Sequence, residues 1–481
     1  MKLIKKMVGV FALLFAVFAM TGCAELLGKI AGKIEESTPE PETPSINYEE
    51  EYSFSLHYGE VQNLNVTAKV EDKGVLSFQW YKGTTDKRDN ATPIVGTTDL
   101  EKANAASPIF VFTASNKEEV TYLWCKVTNT NLATGKKAEN WSDRYKVTVS
   151  NIERVHGHID SNTTWNPLYT YYVDSWLTIE KSLVIPAGTV VKLGKEGEID
   201  TTGEGTITAI ATKSAPITFT SYLDNSVGIT IPEFEGSATK ATKGDWKGIR
   251  IAGAQGSTFT YANFRYSNEY ALTLEKKATV SFCTFTNNKS KDYSGALTIA
   301  EAGNESLVTD NVFYSNDWPL LSPKNYTVDT SNIFHNPDDV NIKNQYQAII
   351  LTNGYHIENA KNVKWNVTEL PYYFVDSWFT VDDGVLTIGD STHNVIVKFT
   401  AGSSIDIGEK GTLKLGVSSI LTSWKDDVHG GDIEANEQPV DPDWGDWDGI
   451  SIYGADHFGW DNPINTDTTR VLYNDYSKYQ N

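Results

Sequence analysis

The feature that most constrains this chain is that it repeats itself. Tyr172-Val173-Asp174-Ser175-Trp176-Leu177-Thr178-Ile179 returns as Phe374-Val375-Asp376-Ser377-Trp378-Phe379-Thr380-Val381. Val191-Lys192-Leu193 returns as Val397-Lys398-Phe399, Ile199-Asp200 as Ile405-Asp406, and Gly205-Thr206-Ile207 as Gly411-Thr412-Leu413. Thr220-Ser221 matches Thr422-Ser423, and Gly244-Asp245-Trp246-Lys247-Gly248-Ile249 matches Gly445-Asp446-Trp447-Asp448-Gly449-Ile450. The blocks keep their order, and the offset drifts only between 201 and 206 residues. Chance does not produce that, so the region from about 155 onward is a duplicated unit.

A shorter period runs inside the first copy. Phenylalanine stands at 264, 285, 313 and 334, spaced by 21, 28 and 21 residues, each soon followed by Asn268, Asn287/Asn288, Asn316 or Asn336. A short solenoid repeat has about this length. Its physical meaning is Phe stacked on Phe inside a coil, with Asn side chains hydrogen-bonded in a ladder at the turns. Ile185-Pro186-Ala187-Gly188-Thr189-Val190-Val191-Lys192 and Ala215-Pro216-Ile217-Thr218-Phe219-Thr220-Ser221 resemble the opening rungs of bacterial secreted proteins with a right-handed parallel β-helix, the pectate-lyase-like fold. The expected units are 151–354 and an incomplete 355–481, whose short end leaves two expectations. Either it folds back on the first unit, or the chain continues past Asn481.

The N-terminus reads as an address. Lys2, Lys5 and Lys6 precede an uncharged stretch from Met7 to Gly22, too short for a structural membrane span and suited to a secretory signal. It ends in Met20-Thr21-Gly22-Cys23, which resembles the lipobox of bacterial lipoproteins, with Met20 in place of the usual Leu. That resemblance implies cleavage after residue 22 and acylation of Cys23, giving a stable membrane anchor. Ala24 rather than Asp after the cysteine implies the outer membrane and, at the chosen reading, the cell surface; the periplasmic face stays open. Residues 23–48, with Glu35-Glu36-Ser37-Thr38-Pro39-Glu40-Pro41, read as an extended tether.

Between 49 and 150, short alternating segments include Leu76-Ser77-Phe78-Gln79-Trp80-Tyr81 and Val120–Val127. Trp80 with Cys125 resembles the core pair of an immunoglobulin-like sandwich, although no earlier cysteine partners Cys125 and the tyrosine, Tyr122, lies three rather than two residues before it. Cys125 and Cys283 read as small buried apolar residues rather than a disulfide framework. The fold class expected for the whole is all-β: an immunoglobulin-like sandwich followed by a right-handed parallel β-helix.

Chemistry is sparse. Lys+Arg number 41 against 62 Asp+Glu, a net charge of −21 that disfavours nucleic-acid partners. No phosphate loop, nucleophile elbow, metalloprotease helix or dinucleotide fingerprint occurs. Asp441, Asp443, Asp446 and Asp448 offer hard oxygen ligands for a structural calcium, with a solvated turn as the plainer alternative. His156-Gly157-His158 lacks a third ligand, and Asp224 and Asp426 read as turn caps. Trp165, Tyr169, Tyr171, Tyr172 and Trp176 recur as Trp365, Tyr372, Tyr373 and Trp378, and read as buried rung caps or as exposed ligand platforms. No catalytic residue is assigned. The expected function is a non-catalytic, adhesin-like surface lipoprotein binding host or glycan ligands; the alternative is a polysaccharide lyase or hydrolase built on the β-helix.

Overall fold

The computed structural model describes residues 40–47, 52–234, 240–291, 294–433, 441–454, 457–458 and 469–475. Cys23, the apolar stretch before it and most of the tether lie outside them. No described helix is long and apolar enough to cross a membrane. The chain divides into two compact units, Met1–Ser150 and Asn151–Asn481.

The first unit is built from mostly antiparallel strands. Tyr52–Leu56, Tyr145–Val149, Glu119–Thr130, Val75–Gly83 and Thr92–Pro93 form one sheet in that order, with Lys137–Trp141 also pairing Glu119–Thr130. Val61–Asn65 pairs separately with Ile109–Thr113. Alternate side chains of both, including Leu64, Phe110, Trp80, Leu123, Cys125 and Val147, share one buried cluster. Trp80 lies directly opposite Cys125 in the ladder, and its indole N–H donates to the Ser107 carbonyl at 2.8 Å. Burial pushes the Cys125 thiol up to about 12, so it is an inert apolar filler.

The second unit is a parallel β-helix. The long strand Thr170–Ile179 bends and serves two faces: its first half pairs Val190–Leu193, its second half Glu198–Thr201. From there one face climbs through Ile217–Ser221, Ala262–Arg265, Thr284–Thr286 and Val312–Tyr314. A second climbs through Gly248–Ile251, Leu272–Leu274, Leu297–Ile299 and Leu320–Pro323. The third runs from Thr163–Thr164 to Leu307–Thr309. Every rung pairing along these three runs is parallel, because each coil returns in the same direction one layer higher.

Both interior ladders follow from that stacking. Phe219, Phe264, Phe285, Phe313 and Phe334 lie face to face with centroids 5.0, 4.8, 4.9 and 5.3 Å apart, all fully buried. Asn288 Nδ2 donates to Asn316 Oδ1, and Asn316 Nδ2 to Asn344 Oδ1, each at 2.9 Å. The ladder therefore uses Ser267 and Asn344, not the expected Asn268 and Asn336, because loop lengths shift which side chain reaches the inward corner. A second ladder runs from Cys283 N–H through Asn311 to Asn332. Cys283 is fully buried there, its thiol pushed up to about 12.

The described residues of the second copy continue the coil. Leu320–Pro323 pairs Ile349–Thr352, which pairs Tyr372–Phe374, then Ile396–Phe399 and Ile420–Ser423, all parallel. The strand opening the second copy's first face thus extends the first copy's second face: equivalent strands change column at the junction. This rotation buries the apolar end of one copy against the start of the next, as a solenoid requires.

Each copy carries one matching buckle. Ser221 Oγ donates to Asp245 Oδ2 at 2.6 Å, and Ser423 Oγ to Asp446 Oδ2 at 2.7 Å. Trp246 and Trp447, fully buried, each donate their indole N–H to a carbonyl one layer on at 2.8 Å. The repeated Gly-Asp-Trp block is therefore structural, tying a turn of one coil to the next. Asp245→Ala is expected to cost about 1–3 kcal/mol, since it strands the Ser221 hydroxyl and the Thr242 N–H, measurable as a lowered denaturant midpoint.

Candidate functional site

Strand alternation decides what the duplicated block presents. In Thr170–Ile179, Leu177 and Ile179 point inward and are buried, so Trp176 and Thr178 point out. In Trp378–Val381, Phe379 and Val381 are buried and Trp378 points out. Trp176 is 51 % exposed and Trp378 46 %. The rest of each aromatic group is largely interior: Trp165 stacks on Tyr171 at 4.0 Å, and Trp365 and Tyr372 are fully buried. Each aromatic cluster thus leaves one tryptophan exposed; Trp444, also exposed, lies outside both clusters.

Each cluster's exposed tryptophan has the same neighbours. His158 lies edge-on to Trp176, centroids 5.0 Å apart at 77°, and His356 edge-on to Trp378, 5.2 Å apart at 78°. His158 Nδ1 lies 2.7 Å from Glu180 Oε1, and His356 Nδ1 2.8 Å from Asp382 Oδ2. The ladder places these histidines opposite Thr178 and Thr380. From there polar positions continue along the coils: Thr178, Asp200 and Arg250 in the first copy, up to the buried Thr273, and Thr380 and Asp406 in the second, up to the buried Ser451.

The next column supports the rings. Trp176 aligns with Glu198 and then Gly248, and Trp378 with Ser404 and Gly449. A Cβ on Gly248 would meet Tyr270 Cε2 at 2.5 Å, so only glycine lets that ring lie across the rung. Burial, with Glu198 and Asp200 nearby, pushes the Tyr270 hydroxyl up to about 12. Burial and the neighbouring Asp200 also raise the Glu198 carboxyl. Arg250 is held between Asp200 at 3.1 Å and Glu275 at 2.9 Å. In the second copy burial, with Asp448 nearby, raises the Asp406 carboxyl. Both faces are therefore an aromatic plate beside hydroxyl and carboxyl groups, a surface that suits hydroxyl-rich ligands.

The other expected sites fall elsewhere. Asp446 receives Lys425 Nζ at 2.8 Å as well as Ser423, and the Asp443 carboxylate accepts the Trp444 N–H at 2.8 Å. Among the described residues, no three of Asp441, Asp443, Asp446 and Asp448 bring ligand atoms within 4.8 Å of one another, and Asp446 accepts from the buckle described above. His156 and His158 do not converge either. A bulge after Val155 separates them, and His156 faces Asp174 at 3.3 Å. Asp224 and Asp426 cap turns, accepting the Ser226 and Val428 N–H groups at 3.0 and 3.1 Å. Among the described residues, one group of three potential ligands has its atoms within 4.8 Å: His356, Glu358 and Asp382. Sequence reasoning passed over it, yet His158-Ile159-Asp160 and His356-Ile357-Glu358 are themselves a repeat, upstream of the aligned blocks.

No protein-family model and no curated protein matches the chain. Among solved structures it is similar to a pectate lyase of Erwinia chrysanthemi, solved in complex with tetragalacturonic acid. That likeness has 10 % identity and a TM-score of 0.12, covering 85 % of this chain and 99 % of the other. The β-helix assignment rests on the parallel ladders themselves.

Proposed function

We propose that this protein is a non-catalytic, adhesin-like envelope lipoprotein that binds glycans on the exposed face of its β-helix. The observation that carries the reading is the pair of exposed tryptophans, Trp176 and Trp378, each with an edge-on histidine and polar rungs beside it. Exposed indoles stack on apolar sugar faces, while neighbouring hydroxyls and carboxyls accept and donate to sugar hydroxyls. In this reading Cys23 carries the lipid anchor at the outer membrane, and residues 23–48 are a spacer. The antiparallel unit is then an immunoglobulin-like module of the same non-catalytic surface protein.

The test is binding of the full chain in detergent to a glycan panel, with protease shaving of intact cells to establish exposure. Trp176→Ala and Trp378→Ala are each expected to weaken the best glycan about tenfold or more. Binding that ignores both substitutions, or a protein protected on intact cells, overturns the reading. A second reading, polysaccharide cleavage, draws support from Glu198, whose raised carboxyl lies near Arg250. Turnover of a panel glycan that disappears in Glu198→Gln would establish it. The double engagement of Arg250 by carboxylates favours the non-catalytic reading.

A further inference from the structure

We propose that His356, Glu358 and Asp382 form a binding site for a first-row divalent cation such as Zn²⁺, independently of the glycan reading. Three observations carry it. The first is geometric: one imidazole and two carboxylates present ligand atoms within 4.8 Å of one another. Ligands at about 2.1 Å from a cation lie up to about 4.2 Å apart, so modest rotation of these side chains closes the site. His356 lies on the short strand His356–Ile357 and Glu358 just past its end, with Ile357 buried between them and both of their side chains exposed.

The second observation is the repeat. The first copy has His158, Asp160 and Glu180 where the second has His356, Glu358 and Asp382. The two acids have exchanged lengths: the arm beside the histidine gained a methylene, and the arm on the facing strand lost one. The longer arm at Glu358 belongs to the three-ligand group, whereas the shorter Asp160 does not, so the change at this position goes with completion of the group in the second copy. The third observation is orientation. In both copies an indole packs edge-on against the histidine ring and holds its plane. Asp382, itself one of the three ligands, already lies 2.8 Å from His356 Nδ1, so the imidazole and this carboxylate meet before any cation is added.

The donor set selects the ion. Imidazole nitrogen with carboxylate oxygen suits zinc, nickel, cobalt or copper, whereas calcium takes all-oxygen shells. Three protein ligands on an open surface leave the remaining positions to water. In the first copy His158 and Glu180 keep their pair while Asp160 stands outside the group, so that copy is the weaker site.

Zinc titration of the tag-free full chain by calorimetry, with millimolar calcium present to occupy surface carboxylates, tests this. One zinc per chain should bind, and His356→Ala and Asp382→Asn should each weaken it about 10–100-fold. His158→Ala should leave that site intact. Copper should quench part of the tryptophan emission, and Trp378→Phe should remove that part while still binding zinc. An isotherm identical in wild type and His356→Ala, or zinc binding lost only in His158→Ala, overturns the proposal. The substituted side chains are exposed, and an unchanged circular dichroism spectrum confirms that the variants fold.

Discussion

Phe285→Ala is expected to remove about 3–5 kcal/mol from the β-helix, the usual cost of emptying a large aromatic site in a core. Phe285 is fully buried and sandwiched between Phe264 and Phe313 at 4.8 and 4.9 Å, nearly parallel to both. Truncation deletes two stacking contacts and leaves a void that the coil cannot close. The backbones above and below are fixed by ladder hydrogen bonds from Thr284 through Thr286. A solenoid transmits stability only between neighbouring layers, so a weak layer at mid-coil uncouples the two ends. Denaturant unfolding of the full chain should show the β-helix transition at a lower midpoint, with the antiparallel unit's transition unmoved. Phe282→Ala is the control. Phe282 lies three residues away but is 45 % exposed and stacked, among the described residues, on Tyr261, and its loss should cost less than about 1 kcal/mol. Equal losses at both positions would show that the phenylalanine column is not what holds the coils together.

That column was legible in the sequence because a coil interior allows little else: identical rings stack best on themselves, and the period survives wherever they do. The duplication was legible for the same reason. The asparagine ladder was only half legible. Its members need to reach one corner of the coil, and variable loops let Ser267 and Asn344 do so while Asn268 and Asn336 do not. The change of column between copies had no sequence signature, since it depends on how far the chain rotates between Leu320 and Tyr372. The exposed tryptophans were half legible: alternation with Leu177 and Phe379 puts them outside, but the buried Trp165 and Trp365 beside them mask that. The His-Ile-acid repeat was visible and was missed because the aligned blocks began after it.

Least legible are the buried lysines, and they yield the second large prediction: the same substitution should have opposite signs in the two copies. Lys192 and Lys398 occupy equivalent positions, on Val190–Leu193 and Ile396–Phe399, and both are fully buried. Lys398 Nζ donates to the carbonyls of Asp426, at 2.8 Å, and Gly431. Lys192 Nζ finds no hydrogen-bond partner among the described residues. The nearby Asp224 is already taken by Thr220 at 2.6 Å, Ser226 at 2.6 Å and Arg265 at 2.9 Å. In the second copy His429 stands at Asp426 where Arg265 stands at Asp224, and the amine reaches backbone oxygen instead.

Burial accordingly pushes the Lys192 amine down from 10.5 to about 8, a shift that corresponds to about 3 kcal/mol against the charged form. Below pH 8 the amine is charged in both folded and unfolded chains, and that cost is fully present. Between 8 and 10.5 the unfolded chain holds the extra proton, so stability rises with pH and the cost is relieved. Lys192→Met should therefore stabilise the β-helix at pH 7 by up to about 3 kcal/mol, with the gain vanishing by pH 10.5. Lys398→Met should destabilise it by about 1–3 kcal/mol, because the buried Asp426 carbonyl loses its donor and the part-buried Gly431 carbonyl loses a contact. Paired denaturant curves at pH 7 and pH 10 read both effects. A Lys192→Met gain that stays constant with pH would mean that methionine packs better there, not that a confined charge has been removed.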